Sequence, residues 1–551
     1  MKSLAGKLEW LALAAVLALG AWLRFQRLDL LEFKGDEAYA THIVQRVLHG
    51  GGWPEVGLLS SVKVLNPPLF LYLLVPLFAI HSSPVFVCCA IAALNLIAIL
   101  IAWHVGRKYY GPVAGLVAAL LFAVSPWAVL YSRKIWAQDF VPLMTAGLVW
   151  ALHALVFGQK PRAVFWVVLL PLLVIEVHFA GLALTATVIG LLVWLRPKMD
   201  WRFAAAGAAL AAVLMVPYLR YQMANNWQDF RKAAKTIGGQ AYKIPKEMIV
   251  HPQLGYAMPR RDPWWQALWI LNSGGIEDIL GLSTRAELDV NRIWPPREYF
   301  RECWPCCSHA APSACGKDTV TSEQRGGGAP RLQWLSRSAI GDAILAAQRL
   351  GLVAALVWLA VWGGKPGRVL VVCILGPLAV FVVARLWTVQ SYFVVLYPAL
   401  FLVLGVVAEK IGKWAWLVLV FAAANIWFTL DLNAYLSRHG GAHGGYGTVI
   451  GHKLEAARFL REHADLEGLM AKKQLLQMDQ WGKVERARLE LPVLASRMEG
   501  QGNKDIEAVL VVDMNRADFP PPSQKQISEL VGGKSVTATN FGPMFLFLFG
   551  R

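Results

Sequence analysis

The chain has 551 residues, 56% of them hydrophobic and only 16% charged, with a formal net charge of +17. A soluble domain runs nearer a quarter charged, so this composition excludes an ordinary soluble enzyme and indicates a polytopic membrane protein. Lys and Arg sit in short clusters between apolar runs rather than in one basic tract, which argues against a nucleic-acid partner and reads as a topology signal.

A membrane span needs about 20 apolar residues. Eleven runs qualify: residues 8 to 24, 84 to 105, 112 to 131, 139 to 157, 162 to 177, 179 to 195, 203 to 219, 347 to 363, 368 to 384, 391 to 408 and 412 to 431. The first follows Lys2 and Lys7 and holds a passable cleavage site at Ala18-Leu19-Gly20, but with so many runs after it we read an uncleaved span rather than a signal peptide. Residues 67 to 80, short and broken by Pro76, read as an interfacial helix. With the N-terminus inside, the short inside loops are Arg107-Lys108, GQKPR (158 to 162), RPKMDWR (196 to 202), GGKPGR (363 to 368) and EKIGK (409 to 413). All five are basic, as the positive-inside rule requires.

The opposite, extracytoplasmic face then carries residues 25 to 66, YSRKIWAQD (131 to 139), a turn near His178, a long loop of 220 to 345, RLWTVQ (385 to 390) and the C-terminal tail. Within the long loop, PWWQALWILN (263 to 272) reads as an interfacial aromatic helix and 303 to 328 as low-complexity sequence without assigned function. That segment holds Cys303, Cys306, Cys307 and Cys315. CWPCC has the spacing of a disulfide or zinc site, but no second CxxC pair accompanies it and no metal or redox role is assigned. After the last run, HKLEAARFLREH (452 to 463) has helical periodicity, while EAVLVVDM (507 to 514) and PMFLFLFGR (543 to 551) read as strands. The division is therefore a membrane domain, 1 to 431, and a small extracytoplasmic α/β domain, 432 to 551. No internal repeat and no mid-membrane charge of the transporter kind is evident; ionisable residues gather at the outer ends of the spans.

Four stretches meet on the outer face: GDEAYA (35 to 40), SSVKVLNPPL (60 to 69), YSRKIWAQD (131 to 139) and EVHFAG (176 to 181). Each has an ordinary explanation. An acidic pair such as Asp36 and Glu37 commonly just solvates a loop. Arg133 and Lys134 at a helix end commonly snorkel, although positive charge is disfavoured on this face and a specific anionic partner would account for it. His178 suits a tight turn, and Asn66-Pro67-Pro68 suits a helix start.

The ordered set GDEAYA, NPPL, PWAVLYSRKIWAQD and EVHFAG, followed late in the chain by SYFVVLYPALFLVLG (391 to 405), resembles the bacterial members of the dolichyl-phosphate-mannose protein mannosyltransferase-like family. This family belongs to the GT-C glycosyltransferase superfamily, which also includes the lipid A aminoarabinose transferases. The resemblance covers residues 8 to 431. It implies a mainly α, polytopic helical membrane protein of GT-C type, in the cytoplasmic (inner) membrane of a bacterium. It also implies inverting transfer of a sugar from a polyprenyl-phosphate donor to an acceptor hydroxyl of a glycan, lipid or protein. Asp36 maps onto the catalytic base, with Glu37 orienting the acceptor or bonding a helix end. Arg133 is the first choice for the donor phosphate, because a guanidinium fork matches phosphate oxygens; Lys63 and Arg385 are second choices. Asn66 stands where the aminoarabinose transferases typically have Lys, which weakens an assignment to their substrate. His178 and Tyr392 match positions near the lipid and sugar pocket, with Tyr131 and Asp139 beside them. Asp36 and Glu37 are able to bind a divalent cation through oxygen, but a monophosphate donor favours no metal. The competing readings are a flippase or transporter of lipid-linked sugars and a structural assembly subunit.

Overall fold

A computed structural model describes residues 2–60, 64–236, 339–384, 390–442, 446–478, 484–486, 489–496, 498, 506–513 and 536–550. The segments 263 to 272 and 303 to 328, and the candidates Lys63 and Arg385, lie outside the described residues.

Helices run in the order α1 (Lys2–Phe25), α2 (Gly35–Leu48), α3 (Leu69–Ile80), α4 (Pro84–Tyr109), α5 (Pro112–Val124), α6 (Pro126–Leu130), α7 (Val141–Val156), α8 (Val164–Val177), α9 (Gly181–Leu195), α10 (Trp201–Ala224) and α11 (Gln228–Thr236). Four further apolar helices follow, Ala339–Trp362, Gly364–Val383, Ala399–Ile411 and Leu417–His439. Each of the eleven predicted runs falls on helix. Among the described residues, 6 helical segments are long and apolar enough to cross a membrane.

The shorter helices have identifiable causes. The predicted run 112 to 131 is two helices, because Ser125 precedes Pro126 and takes an extended conformation with ψ 121. The 13 residues of α5 reach about 20 Å at 1.5 Å per residue, short of a bilayer core of about 30 Å. The run 391 to 408 likewise opens as a 3-10 turn, Gln390–Leu396, and becomes α-helical only past Pro398. The last membrane helix runs on to His439, past its predicted end at 431.

Packing is close where small residues meet. A Cβ on Gly106 of α4 would lie 2.7 Å from the Cα of Gly115 in α5, so two glycines set that crossing. Phe122 of α5 stacks on Phe401 at 4.7 Å. At the end of α1, the fully buried Arg24 donates to Ala123 O at 2.8 Å, joining α1 to the end of α5.

The C-terminal segment holds a two-stranded ribbon of β1 (Gly441–Ala442) and β2 (Gly447–Thr448) and a five-stranded sheet. The sheet is built of β3 (Leu475–Met478), β4 (Val484–Arg486), β5 (Ile506–Asp513), β6 (Val536–Phe541) and β7 (Met544–Gly550), in the order β4-β3-β5-β7-β6. Only β3 and β5 pair in parallel. Central strands covered on both faces lack alternation, and Leu546, Phe547, Leu548 and Phe549 of β7 are all buried. This is why 507 to 514 and 543 to 551 were legible as strands. The predicted helix 452 to 463 is Ile450–His463.

A backbone seam joins this segment to the residues between α1 and α2. Residues 30 to 33, leading into α2, run antiparallel to 446 to 450: Glu32 bridges Val449, Ile450 N donates to Leu31 O at 2.8 Å, and the Tyr446 hydroxyl donates to Leu30 O.

Candidate active site

α2 begins at Gly35, so Asp36 and Glu37 both lie in its first turn. Adjacent helical positions point different ways, and here Asp36 is exposed while Glu37 is fully buried. The Glu37 carboxylate turns back to accept from Lys34 N at 3.0 Å, covering a backbone donor that the helix start leaves open. Asp36 is thus the member of the pair presented outward, at a helix N-terminus that suits negative charge.

Beneath the turn lies an ion cluster. The buried Glu32 carboxylate bridges two ammonium groups, Lys34 through one oxygen and Lys134 through the other. Burial alone would push the Glu32 carboxyl up, but the charges of Lys134 and Lys34 outweigh it and hold it below its usual range. Two cations on one carboxylate leave the cluster net positive. Lys134 Nζ is also enclosed by aromatic faces, 5.2 Å from the ring of Tyr131, 4.8 Å from Trp136 and 5.8 Å from Tyr446. Tyr131 itself is buried and stacked between Trp127 and Trp136, at 5.1 and 6.3 Å.

Glu37 has no comparable cation pairing. Burial and the charge of Glu32 raise its carboxyl from 4.5 to about 7. The folded state therefore binds a proton that the unfolded state has released between pH 4.5 and 7, and stability from this group falls as pH rises through that window. Glu37→Gln is expected to flatten the slope, gaining on the parent by up to ~3 kcal/mol at pH 8 relative to pH 4. The measurement is thermal unfolding of purified protein across that range; parallel pH profiles would contradict the assignment.

Arg133 is buried. Its Nη2 donates to Gln26 O at 2.7 Å and Arg27 O at 2.9 Å, closing the end of α1, while Nε has no hydrogen-bond partner. Burial lowers its guanidinium from its usual range. A cavity of about 20 Å³ beside it is lined by the polar residues Glu32, Arg133, Lys134, Thr429, Asn433 and Tyr446 and by apolar residues that include Val129, Leu130, Leu432 and Leu436. Both lining side chains with an unpartnered nitrogen, Arg133 through Nε and Asn433 through Nδ2, offer donors.

The other predicted residues divide. His178 and Tyr392 come together, their rings 4.6 Å apart and nearly perpendicular. Burial lowers the His178 imidazole to about 4, and Nδ1 accepts from Ala180 N at 3.1 Å, so the neutral ring carries its proton on Nε2. Asp139 is fully buried and holds the 131 to 139 turn, accepting from Lys134 N at 3.1 Å. Asn66 holds its own loop, its Nδ2 donating to Leu58 O at 2.9 Å. Sequence reasoning missed Glu32 and Lys34, and offered Lys134 either snorkelling or an anionic partner without naming Glu32 as that partner. The alternating charges of Glu32 and Lys34 were visible; their burial was not. Among the described residues, no group of three or more His, Cys, Asp or Glu is placed to hold a metal ion.

No family model and no curated protein matches the sequence. The structure is similar to ArnT from Cupriavidus metallidurans bound to undecaprenyl phosphate, with TM-score 0.50 and 12% identity over 98% of this chain and 97% of that one. The chain shares the polytopic helical fold of that ArnT structure. The same ArnT in its apo state aligns at TM-score 0.43 and 14% identity over 99% and 98% of the two chains. An Archaeoglobus fulgidus oligosaccharyltransferase in complex with Zn and sulfate aligns at 0.41 and 15%, over 82% of this chain and 55% of that one, so this chain spans about half its length. The likeness of fold rests on the first alone.

Proposed function

We propose that the protein is an integral-membrane glycosyltransferase that moves a sugar from a polyprenyl-phosphate donor to an acceptor hydroxyl on the outer face. The observation that carries this reading is the exposed carboxylate of Asp36 in a helix first turn whose preceding residues, Glu32 and Lys34, form an ion cluster with the buried Lys134. Attack at an anomeric carbon needs a base at the acceptor hydroxyl and cations where the leaving phosphate gathers charge. In the proposed step the acceptor oxygen bonds to the anomeric carbon opposite the phosphate oxygen. The carbon–oxygen bond to phosphate breaks, its electron pair leaving with the polyprenyl phosphate, and Asp36 takes the acceptor proton. Configuration inverts.

The cavity beside Arg133 supports the donor assignment. It offers Arg133 and Lys134 to a phosphate oxygen, and at about 20 Å³ it holds little more than a water, so a prenyl chain requires Val129, Leu130, Leu432 and Leu436 to part. Because Nη2 of Arg133 is held by two carbonyls, the guanidinium is already oriented before a lipid arrives. The His178–Tyr392 pair is assigned to the sugar, with His178 Nε2 as a neutral donor. Membrane domain and C-terminal α/β domain, with the boundary moved to follow His439, are proposed to act as one catalytic unit.

The test is turnover of labelled undecaprenyl-phosphate sugar by purified protein in lipid nanodiscs. A charged hydrogen bond is worth ~1.5 to 3 kcal/mol, so Arg133→Lys, which keeps the charge and loses the fork, is expected to weaken undecaprenyl-phosphate binding about 10- to 100-fold. Unfolding of the variant is followed in parallel, since Arg133 also closes α1. Unchanged lipid binding in a stably folded variant would move the phosphate away from Arg133.

A further inference from the structure

Lys453 lies on the helix Ile450–His463, yet its side chain is fully buried, against the usual behaviour of lysine. Its ammonium donates to Phe33 O and to Glu490 Oε2, the latter at 2.6 Å. Glu490 is buried as well, on the helix Glu490–Ala495. Removing a lysine and a carboxylate together from a protein interior and replacing them with apolar groups is often neutral or stabilising. The ion pair alone therefore does not account for this lysine, whose other contact is the backbone of Phe33.

Its address is informative. Phe33 stands two residues before Gly35, where α2 begins, and three before Asp36. The carbonyls of Leu30, Leu31 and Phe33 are all held by the stretch 446 to 453, through Tyr446, the amide of Ile450 and Lys453 respectively. Of these holds, Lys453 is nearest the catalytic turn. Phe33 is itself fully buried, so its carbonyl needs a donor. The next residue, Lys34, binds Glu32 through Nζ and Glu37 through its backbone N, so the position of Phe33 passes directly into the first turn of α2.

We propose that Lys453, paired with Glu490, is a positioning residue that sets the first turn of α2 and so aims Asp36; the soluble segment thereby forms part of the catalytic loop. This rests on the reading of Asp36 as the base. A reacting group displaced by about 1 Å loses rate on the order of 100-fold.

The test uses full-length protein in nanodiscs with two variants, Lys453→Met/Glu490→Leu and Glu490→Asp. The apolar pair is expected to keep its thermal midpoint within a few degrees and its donor KM within about twofold, while kcat falls about 10- to 100-fold. Deuterium exchange of the amides 30 to 37 is expected to speed up at least tenfold. Glu490→Asp, which retains the carboxylate, is expected to keep kcat within about threefold. An apolar pair with parental kcat overturns the proposal, whether or not exchange changes. If the parent protein itself transfers no sugar from the labelled donor, the functional reading has failed, and exchange decides the clamp alone: unchanged protection over 30 to 37 overturns it.

Discussion

Asp36→Asn is expected to reduce sugar transfer about 10³-fold, within the ~10² to 10⁴ range that a positioned general base supplies. Asparagine keeps the size and the first-turn position but takes no proton. Donor binding is expected to change little, because the proposed phosphate contacts belong to Arg133 and Lys134 in the cavity and not to the exposed carboxylate. The comparison separates enzyme from carrier. A flippase built on these helices would move lipid-linked sugar with or without Asp36, and an assembly subunit would show no transfer to lose. Labelled donor, purified protein and single-turnover sampling suffice, and transfer within about threefold of the parent would remove Asp36 from the role.

The second large effect concerns stability. Glu32→Ala leaves the buried ammonium of Lys134 and the partly buried one of Lys34 without their shared carboxylate. Removing one member of a buried ionic group costs ~3 to 5 kcal/mol, enough to unfold a marginal protein. The companion Glu32→Leu/Lys134→Met is expected to recover most of that loss, and the coupling follows from a double-mutant cycle. The pH dependence has the opposite sign to that of Glu37. Glu32 is held below 4.5 in the folded state, so its contribution is complete above that value and is lost as pH falls through the depressed one. Glu32→Ala within ~1 kcal/mol of the parent, by thermal or denaturant unfolding in detergent, would show that water neutralises the lysines.

Much of the helical fold was legible because apolar length is a local property. Each run from 8 to 24 through 412 to 431 announced a helix, and even the break at Ser125 was present as a proline in the run. β5 and β7 were legible for the same reason. The strands LLQM, VER and VTATNF were not, being short or mixed in polarity and held by partners on one or both sides. Within the site, GDEAYA was visible as a motif, and the opposite orientation of Asp36 and Glu37 followed from helical geometry. The cluster beneath it was not. Lys134 meets Glu32 across about a hundred residues, and Lys453 meets Phe33 across 420. A lysine bound for the interior looks, in a linear sequence, like any lysine on an amphipathic helix.

The antiparallel seam between residues 30 to 33 and 446 to 450 also bears on how such proteins can be recombined. Backbone pairing at Glu32 and Val449 is indifferent to side chains, but the buried ends of the seam, Lys453 and Tyr446, are matched to particular carbonyls. A chimaera that grafts a foreign soluble segment after His439 inherits one half of this joint without the other. Exchanging 28 to 37 together with 440 to 550 keeps the halves of the seam together, provided that Lys134, the partner of Glu32, is retained in the host.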